Sequence, residues 1–419
     1  MTLPGITENA NTPGFSSKKG GFLRQFGPAW LVMMADVDAA CIIGGAQTGA
    51  IYGYGLIWLF LVLIIPLYIV QELAGRISIA TRKGLGSVIR DNYGKKMSLF
   101  MTVPMAITDV VTYAIEYIGI AVGLEIIGLS IYLTIPIIYV IHILLVTKRR
   151  YTKAEKPLIL VSLLLLGSLT LTLIMRGIEP FSSPLADPFQ FQDSSTFFFI
   201  LAANVGAVVM PFMIFFQASA TGIKSKELRL EDSIVEKRRS LSIMRKETLL
   251  GAIVTEILMV IIEMTFTGMK GASNTGVFAT ASQLGSVLSP IAGEYSLLVF
   301  GIGLISASFV ALVVISLASA WGLAESLKVK KESVWIIYVI ESLPAVIAAM
   351  VIPSGLLVNA TLYLLVAFVV VLIGPMLILG IIGKNRSIMG RFSNTRRYQA
   401  IYWSTFVVIV STALVSIVY

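Results

Sequence analysis

The sequence predicts an all-α membrane protein of about eleven transmembrane helices, and three features carry that prediction. Of 419 residues, 57% are hydrophobic and only 13% charged, whereas a water-soluble domain carries roughly a quarter charged residues to wet its surface. Apolar runs of about 20 residues, enough to cross a hydrocarbon core of about 30 Å, recur from end to end. The Lys and Arg residues gather in alternate connections between those runs.

Hydropathy places spans near 27–52, 56–80, 99–125, 131–147, 157–175, 195–216, 248–268, 288–322, 334–352, 356–382 and 399–418. Between spans 2 and 3 lie Arg82, Lys83, Arg90, Lys95 and Lys96, and between 4 and 5 lie Lys148, Arg149, Arg150, Lys153 and Lys156. The 6–7 connection is the most basic, with Lys224, Lys226, Arg229, Lys237, Arg238, Arg239, Arg245 and Lys246. Lys328, Lys330 and Lys331 follow span 8, and Lys384, Arg386, Arg391, Arg396 and Arg397 follow span 10. The 5–6 connection instead holds Glu179, Asp187 and Asp193 against Arg176. Cations collect on the cytoplasmic side of a membrane protein. The expected location is therefore the cell membrane, multi-pass, with a cytoplasmic N-terminus and, after an odd number of spans, an extracytoplasmic C-terminus. Residues 1–26, with Lys18, Lys19 and Arg24, read as a cytoplasmic tail rather than a cleaved leader.

The same placement explains the net charge of +9. The cations report orientation, so no nucleic-acid partner is expected. Cys41 is the single cysteine, which excludes an intrachain disulfide and any cluster needing several thiolates. No nucleotide loop, multi-histidine cluster or nucleophile–base pair stands out, so no enzyme is expected and no cofactor.

Spans 1 and 6 are interrupted in corresponding ways. Span 1 carries Asp36, Asp38, Cys41, Gly44, Gly45, Gln47 and Thr48, and span 6 carries Asn204, Gly206 and Pro211, with Gln217 near its end. Broken helices five spans apart are the mark of a five-plus-five inverted repeat of the LeuT type, in which unwound backbone at the midplane meets the substrate. The first repeat would be 27–175, the second 195–382, and 399–418 an added eleventh span.

A carboxylate near the bilayer centre costs at least ~2.5–3.5 kcal/mol on insertion scales, so it persists where it faces a cavity or a partner. Asp38 is the first candidate cation ligand. Asp36, two residues away, points to a different face of an intact helix. Asp109 and Glu116 are seven residues apart and share a face of span 3, as do Glu256 and Glu263 on span 7. Glu341 is alone on span 9. Each of these acids is either a relay group or an interhelical hydrogen-bonding group. His142, the single histidine, reads as structural.

Several strings resemble one family, the NRAMP (natural-resistance-associated macrophage protein) divalent-metal transporters. Gly27-Pro28-Ala29 resembles the Gly-Pro that opens the family's span 1, and the run from Thr48 to Trp58 resembles its Gly-Gly-Ala-x-Tyr-Gly-Tyr-x-Leu-Leu-Trp. Gly206 to Pro211 is similar to its Gly-Ala-Thr-Val-Met-Pro. Ala114 to Gly119 resembles its acidic span-3 segment, and Ile388 to Phe392 the stretch after span 10.

The resemblance implies alternating-access transport of a divalent cation, Mn²⁺ or Fe²⁺ in type, held at the midplane between spans 1 and 6. The family's Asp-Pro-Gly-Asn falls on Asp38-Ala39-Ala40-Cys41, and its Met-Pro-His on Met210-Pro211-Phe212. The implied metal set is thus Asp38, Met210, the carbonyl of Ala207, and Cys41 in place of asparagine. The family's span-10 glutamine has no clear match around Ile373-Gly374-Pro375. A thioether favours transition metals over Mg²⁺, which has no use for sulfur and keeps its waters. The plainer alternatives are gap-filling packing for Met210 and a small buried hydrophobe for Cys41. The functional alternatives are a related Mg²⁺ carrier without proton coupling, or an amino-acid carrier, whose substrate carboxylate Asp38 would repel. Phe212 replaces the family's histidine and Tyr113 an aspartate, so coupling through those positions is expected to be weak. Protons remain a possible partner, with Asp109, Glu116 and Glu256 as relay candidates.

Overall fold

In a hydrocarbon medium every backbone N–H and C=O must be satisfied within its own segment, so apolar runs of this length fold as helices. The computed structural model describes residues 27–147, 151–178 and 194–418, and among these the regular structure is helical throughout. The N-terminal tail, Lys148 to Arg150 and the acidic side chains Glu179, Asp187 and Asp193 lie outside the described residues.

Among the described residues, eight helices are long and apolar enough to cross a bilayer, and a bent pair adds a ninth. The 16-residue helix Ile131–Val146 and Arg396–Val418 complete the eleven segments expected. Span 1 is the bent pair, Pro28–Asp36 (1a) and Ala39–Tyr52 (1b), turning by 47°. Span 6 is Ser194–Val208 (6a) and Pro211–Glu227 (6b), interrupted at Val209 and Met210. Proline opens both 1a and 6b, where its missing N–H costs nothing. The remaining spans are Ile57–Thr81 (2), Lys95–Glu125 (3), Ile131–Val146 (4), Tyr151–Arg176 (5), Ile234–Phe266 (7), Glu294–Leu327 (8), Val334–Val351 (9), Thr361–Lys384 (10) and Arg396–Val418 (11).

Three boundaries differ from the sequence reading. The segment expected at 288–322 is two helices, Ala281–Ala292 and span 8, because Gly293 turns the chain at φ +84°, a conformation that favours glycine. The segment expected at 356–382 is likewise split, into Ser354–Asn359 and span 10. Span 7 begins at Ile234, capped by the Ser233 hydroxyl accepting from the Glu236 N–H, so several cations assigned to the 6–7 connection lie on its first turns. A short helix, Leu85–Tyr93, also occupies the 2–3 connection.

The basic connections meet at one end of the bundle. Arg82 donates to the carbonyls of Leu230, at 2.6 Å, and Glu231, Arg90 to that of Ser326 at 2.6 Å, and Lys237 to that of Ala80 at 2.9 Å. A hydrogen bond from Lys237 at 2.7 Å, with Arg82 at 3.3 Å, holds the Asp232 carboxyl below the ordinary carboxylate range. Deeper in, the buried Glu72 binds Arg76 at 3.2 Å, Arg245 at 2.8 Å and the Tyr398 hydroxyl at 2.6 Å, tying spans 2, 7 and 11 together. The outer girdle is apolar, with Phe100, Ile107, Leu144 and Ile340 exposed where lipid rather than water would meet them.

Within the bundle, small residues let backbones touch, which is how helices associate without a hydrophobic drive. A Cβ at Gly49 would lie 2.1 Å from the Glu263 carbonyl oxygen of span 7, and one at Gly206 would lie 1.9 Å from that of Leu365 in span 10. Gly206→Ala is therefore expected to cost about 1–3 kcal/mol through overpacking. Gly167→Ala, with nothing within 4 Å, should instead gain about 0.5–1 kcal/mol of helix propensity. Thermal melting of the two purified variants in detergent checks the contrast, and equal shifts would contradict it.

Candidate substrate site at the two helix breaks

A helix that starts in mid-membrane exposes N–H groups that no water can satisfy. Span 1b solves this with acids. Asp38, fully buried, is its N-cap, and Oδ1 accepts the Cys41 N–H at 2.7 Å. Glu116 of span 3 reaches across, and its Oε2 accepts the Ala39 N–H at 3.2 Å. The positive end of the half-helix dipole points at both acids. Asp38 Oδ2 and Glu116 Oε1 remain without a hydrogen bond, so each acid keeps one oxygen for a cation.

Cys41, one turn on, joins span 1b to span 6a. Its thiol donates to the Ala207 carbonyl at 3.5 Å. A second link follows above it, where Asn204 Nδ2 donates to Thr48 Oγ1 at 2.9 Å. On the facing half-helix, Met210 is the N-cap of span 6b, and its N–H points to Met213 Sδ at 3.4 Å. Asp38, Cys41, Ala207 and Met210 are thus all buried at the two breaks, with Cys41 and Ala207 in direct contact. Among the described residues no three His, Cys, Asp or Glu side chains converge as a metal-holding group. A metal here would draw on backbone carbonyls and thioethers as well as carboxylate, a mixed donor set suited to intermediate metals.

The other acids separate into distinct places. Glu116 belongs to the break itself. Glu256 lies on span 7 where that span packs along span 1, level with Asp36, the last residue of span 1a. Glu263 caps span 2, its Oε1 accepting the Leu56 N–H at 3.1 Å. Asp109 lies beside Glu341, and Glu341 is not isolated: it accepts from Tyr113 at 3.3 Å and Ser319 at 3.1 Å. His142 is a satisfied core histidine, with Tyr117 OH at 2.8 Å from Nδ1 and Ser316 Oγ at 2.7 Å from Nε2. Sequence reasoning missed Met213 and the Asn204–Thr48 link. The three-residue spacing of Met210 and Met213 at a proline break was the available signal for the first.

At the end that carries the basic connections, a cavity of about 1270 Å³ opens between spans 4, 5, 6b, 8 and 9. Its walls include Ser219, Lys226, Glu325 and Trp335, with Glu325 held by the Ser219 hydroxyl at 2.9 Å and the Ser87 N–H at 3.2 Å. Two wall residues, Tyr151 and Trp321, pack on Phe216, Trp321 stacked at 5.9 Å and Tyr151 edge-on at 6.1 Å. Along span 6b, this aromatic group comes between Met210 and Ser219.

Two interrupted spans facing each other in a bundle of helices define a transporter of the LeuT-type inverted-repeat fold, a multi-pass membrane protein. The family model described as natural resistance-associated macrophage protein-like matches residues 29–419. The chain belongs to that family. It is 24% identical over 396 residues to the divalent metal cation transporter MntH of Klebsiella pneumoniae, covering 93% of this chain and 92% of that one. It is 22% identical over 393 residues to MntH of Deinococcus radiodurans, covering 92% and 87%. Its fold matches the crystal structure of the Eremococcus coleocola manganese transporter with a TM-score of 0.76 at 15% identity, over 98% of this chain and 90% of that one.

Cys41 is 1% exposed, and a thiol so enclosed reacts slowly whatever its intrinsic nucleophilicity. The folded protein is expected to react with N-ethylmaleimide at least ~10-fold more slowly than the SDS-unfolded chain. Mass spectrometry of timed samples measures this, and comparable rates would place Cys41 at an open surface.

Proposed function

We propose that this protein carries a divalent metal cation across the bilayer by alternating access, with Asp38, Cys41, the Ala207 carbonyl and Met210 as its ligands. The observation that carries the reading is the pairing of the breaks. A carboxylate caps one half-helix, a methionine caps the other, and the Cys41–Ala207 contact closes the gap between them. Relatives named as divalent metal cation transporters and as a manganese transporter support the substrate class. The thioether at the break favours Mn²⁺ and Fe²⁺ over Mg²⁺. The five-span units 27–175 and 195–382 act as the two repeats, with 399–418 added. The end bearing Arg82, Arg90 and Lys237 is cytoplasmic by the distribution of cations, which puts the N-terminus inside and the C-terminus outside.

Asp38→Ala is expected to abolish Mn²⁺ binding and uptake in proteoliposomes while the protein still expresses and inserts, with stability lowered by about 0.5–2 kcal/mol because span 1b loses its N-cap. Unchanged metal affinity by calorimetry would remove Asp38 from the site. Met210→Ala should weaken Cd²⁺ and Mn²⁺ by about tenfold relative to Ca²⁺, because it deletes the soft donor and leaves the oxygens. Equal losses for all three ions would mean that Met210 only packs.

A further inference from the structure

Span 1 ends its first half on an acid as well as beginning its second half with one. Asp36 is 2% exposed and Glu256 is fully buried, yet none of their four carboxylate oxygens has a hydrogen-bond partner. Neither forms an ion pair with a Lys, Arg or His among the described residues. Packing fixes their placement. Span 7 runs along span 1, with Thr255 Oγ1 donating to the Met33 carbonyl at 2.6 Å, Gly251 against the Met33 side chain, and Met259 against Gly45. This register puts Glu256 level with the break that Asp36 borders.

Leaving two carboxylates without a counter-charge in a low-dielectric interior is strongly unfavourable. The setting adds to the demand for a cation. The carbonyls at the end of span 1a lack intrahelical partners, and the C-terminal end of a helix carries about half a negative charge. Thr255 donates to one of them, the Met33 carbonyl, at 2.6 Å. Carboxylates from two elements and half-helix carbonyls are the donor set of cation sites at broken transmembrane helices.

We infer that Asp36 and Glu256, with the terminal carbonyls of span 1a, form a second cation site beside the Asp38–Met210 site, of hard, oxygen-only chemistry. An oxygen-only set of this kind suits Na⁺ or Ca²⁺ better than Mg²⁺, which dehydrates reluctantly and demands regular octahedral geometry. The site gives Glu256, whose carboxylate oxygens have no hydrogen-bond partner among the described residues, a function separate from the cargo ligands. It does not require that Asp38 bind the transported metal.

The test is radiolabelled binding of ²²Na⁺ and ⁴⁵Ca²⁺ to the purified full chain in detergent, with Cd²⁺ added to saturate the sulfur-containing site. Wild type is expected to bind one of the two ions at about one per chain, and which ion binds distinguishes the two occupants. In Glu256→Gln that binding should weaken at least tenfold, while ¹⁰⁹Cd²⁺ binding, measured in parallel, stays within about tenfold and the melting temperature does not fall. Asp36→Asn should reproduce the loss. No binding of either ion to wild type, or binding unchanged in Glu256→Gln, would overturn the inference. Failure of ¹⁰⁹Cd²⁺ to bind wild type would count against the cargo site alone, since the ²²Na⁺ and ⁴⁵Ca²⁺ readings remain independent of it.

Discussion

An α-helix interrupted inside a bilayer leaves a set of N–H groups on one side of the gap and carbonyls on the other, in a medium with no water to take them. In this protein the N–H side is met by Asp38, accepting from Cys41 at 2.7 Å, and by Glu116, accepting from Ala39 at 3.2 Å. The break is stable because acids cap it, and the acids are tolerable because the half-helix dipole faces them. The burial of Asp38 and its free Oδ2 both follow from that one arrangement. The same requirement explains why the site sits on helix ends rather than on a cluster of titratable side chains.

The departures from the family pattern are intelligible in these terms. Ala39 and Ala40 replace proline and glycine, and the helix still breaks: the N–H that Ala39 has and proline lacks is taken by Glu116, and that of Cys41 by Asp38. Cys41 stands in an asparagine position and uses its thiol on a backbone carbonyl, a weak donor in a place where an amide could bind more firmly. Phe212 is fully buried, so the position that the resemblance links to protons is sealed in apolar packing. The acids that this chain does have in the bilayer are distributed elsewhere, around Glu341 and between Asp36 and Glu256.

Much of this was legible in the sequence, and the rest was hidden for definable reasons. Spans, cationic connections and the positions of both breaks follow from hydropathy and from Asp, Gly and Pro placement, which are local signals. The turn at Gly293 was not, since the apolar residues on both sides of it join into one hydropathy segment, and hydropathy is blind to φ. Asp38, Ala207 and Met210 could be placed at the breaks by pattern, but the Cys41–Ala207 contact depends on the packing of span 1b on 6a. The partners of Glu341 and the meeting of Asp36 with Glu256 depend on interhelical register, which no periodicity along one chain encodes. Asp36 was discounted because an intact helix turns it away from Asp38. The break at Val37 removes that premise.

The two halves of span 1 are fastened to different neighbours. Span 1a is held by Trp30 to Ser162 of span 5 at 3.0 Å and through Met33 to Thr255 of span 7. Span 1b is held by Glu116 of span 3 and by Ala207 of span 6a. Between them stand two residues, Val37 and Asp38, across a 47° bend. Asp38 is therefore the joint and, in the proposed site, also a ligand. The angle at Asp38 and cation binding at its carboxylate are then thermodynamically coupled. By linkage, a cation that prefers one angle shifts the population toward it, and any partner that sets the angle retunes cation affinity by the same factor.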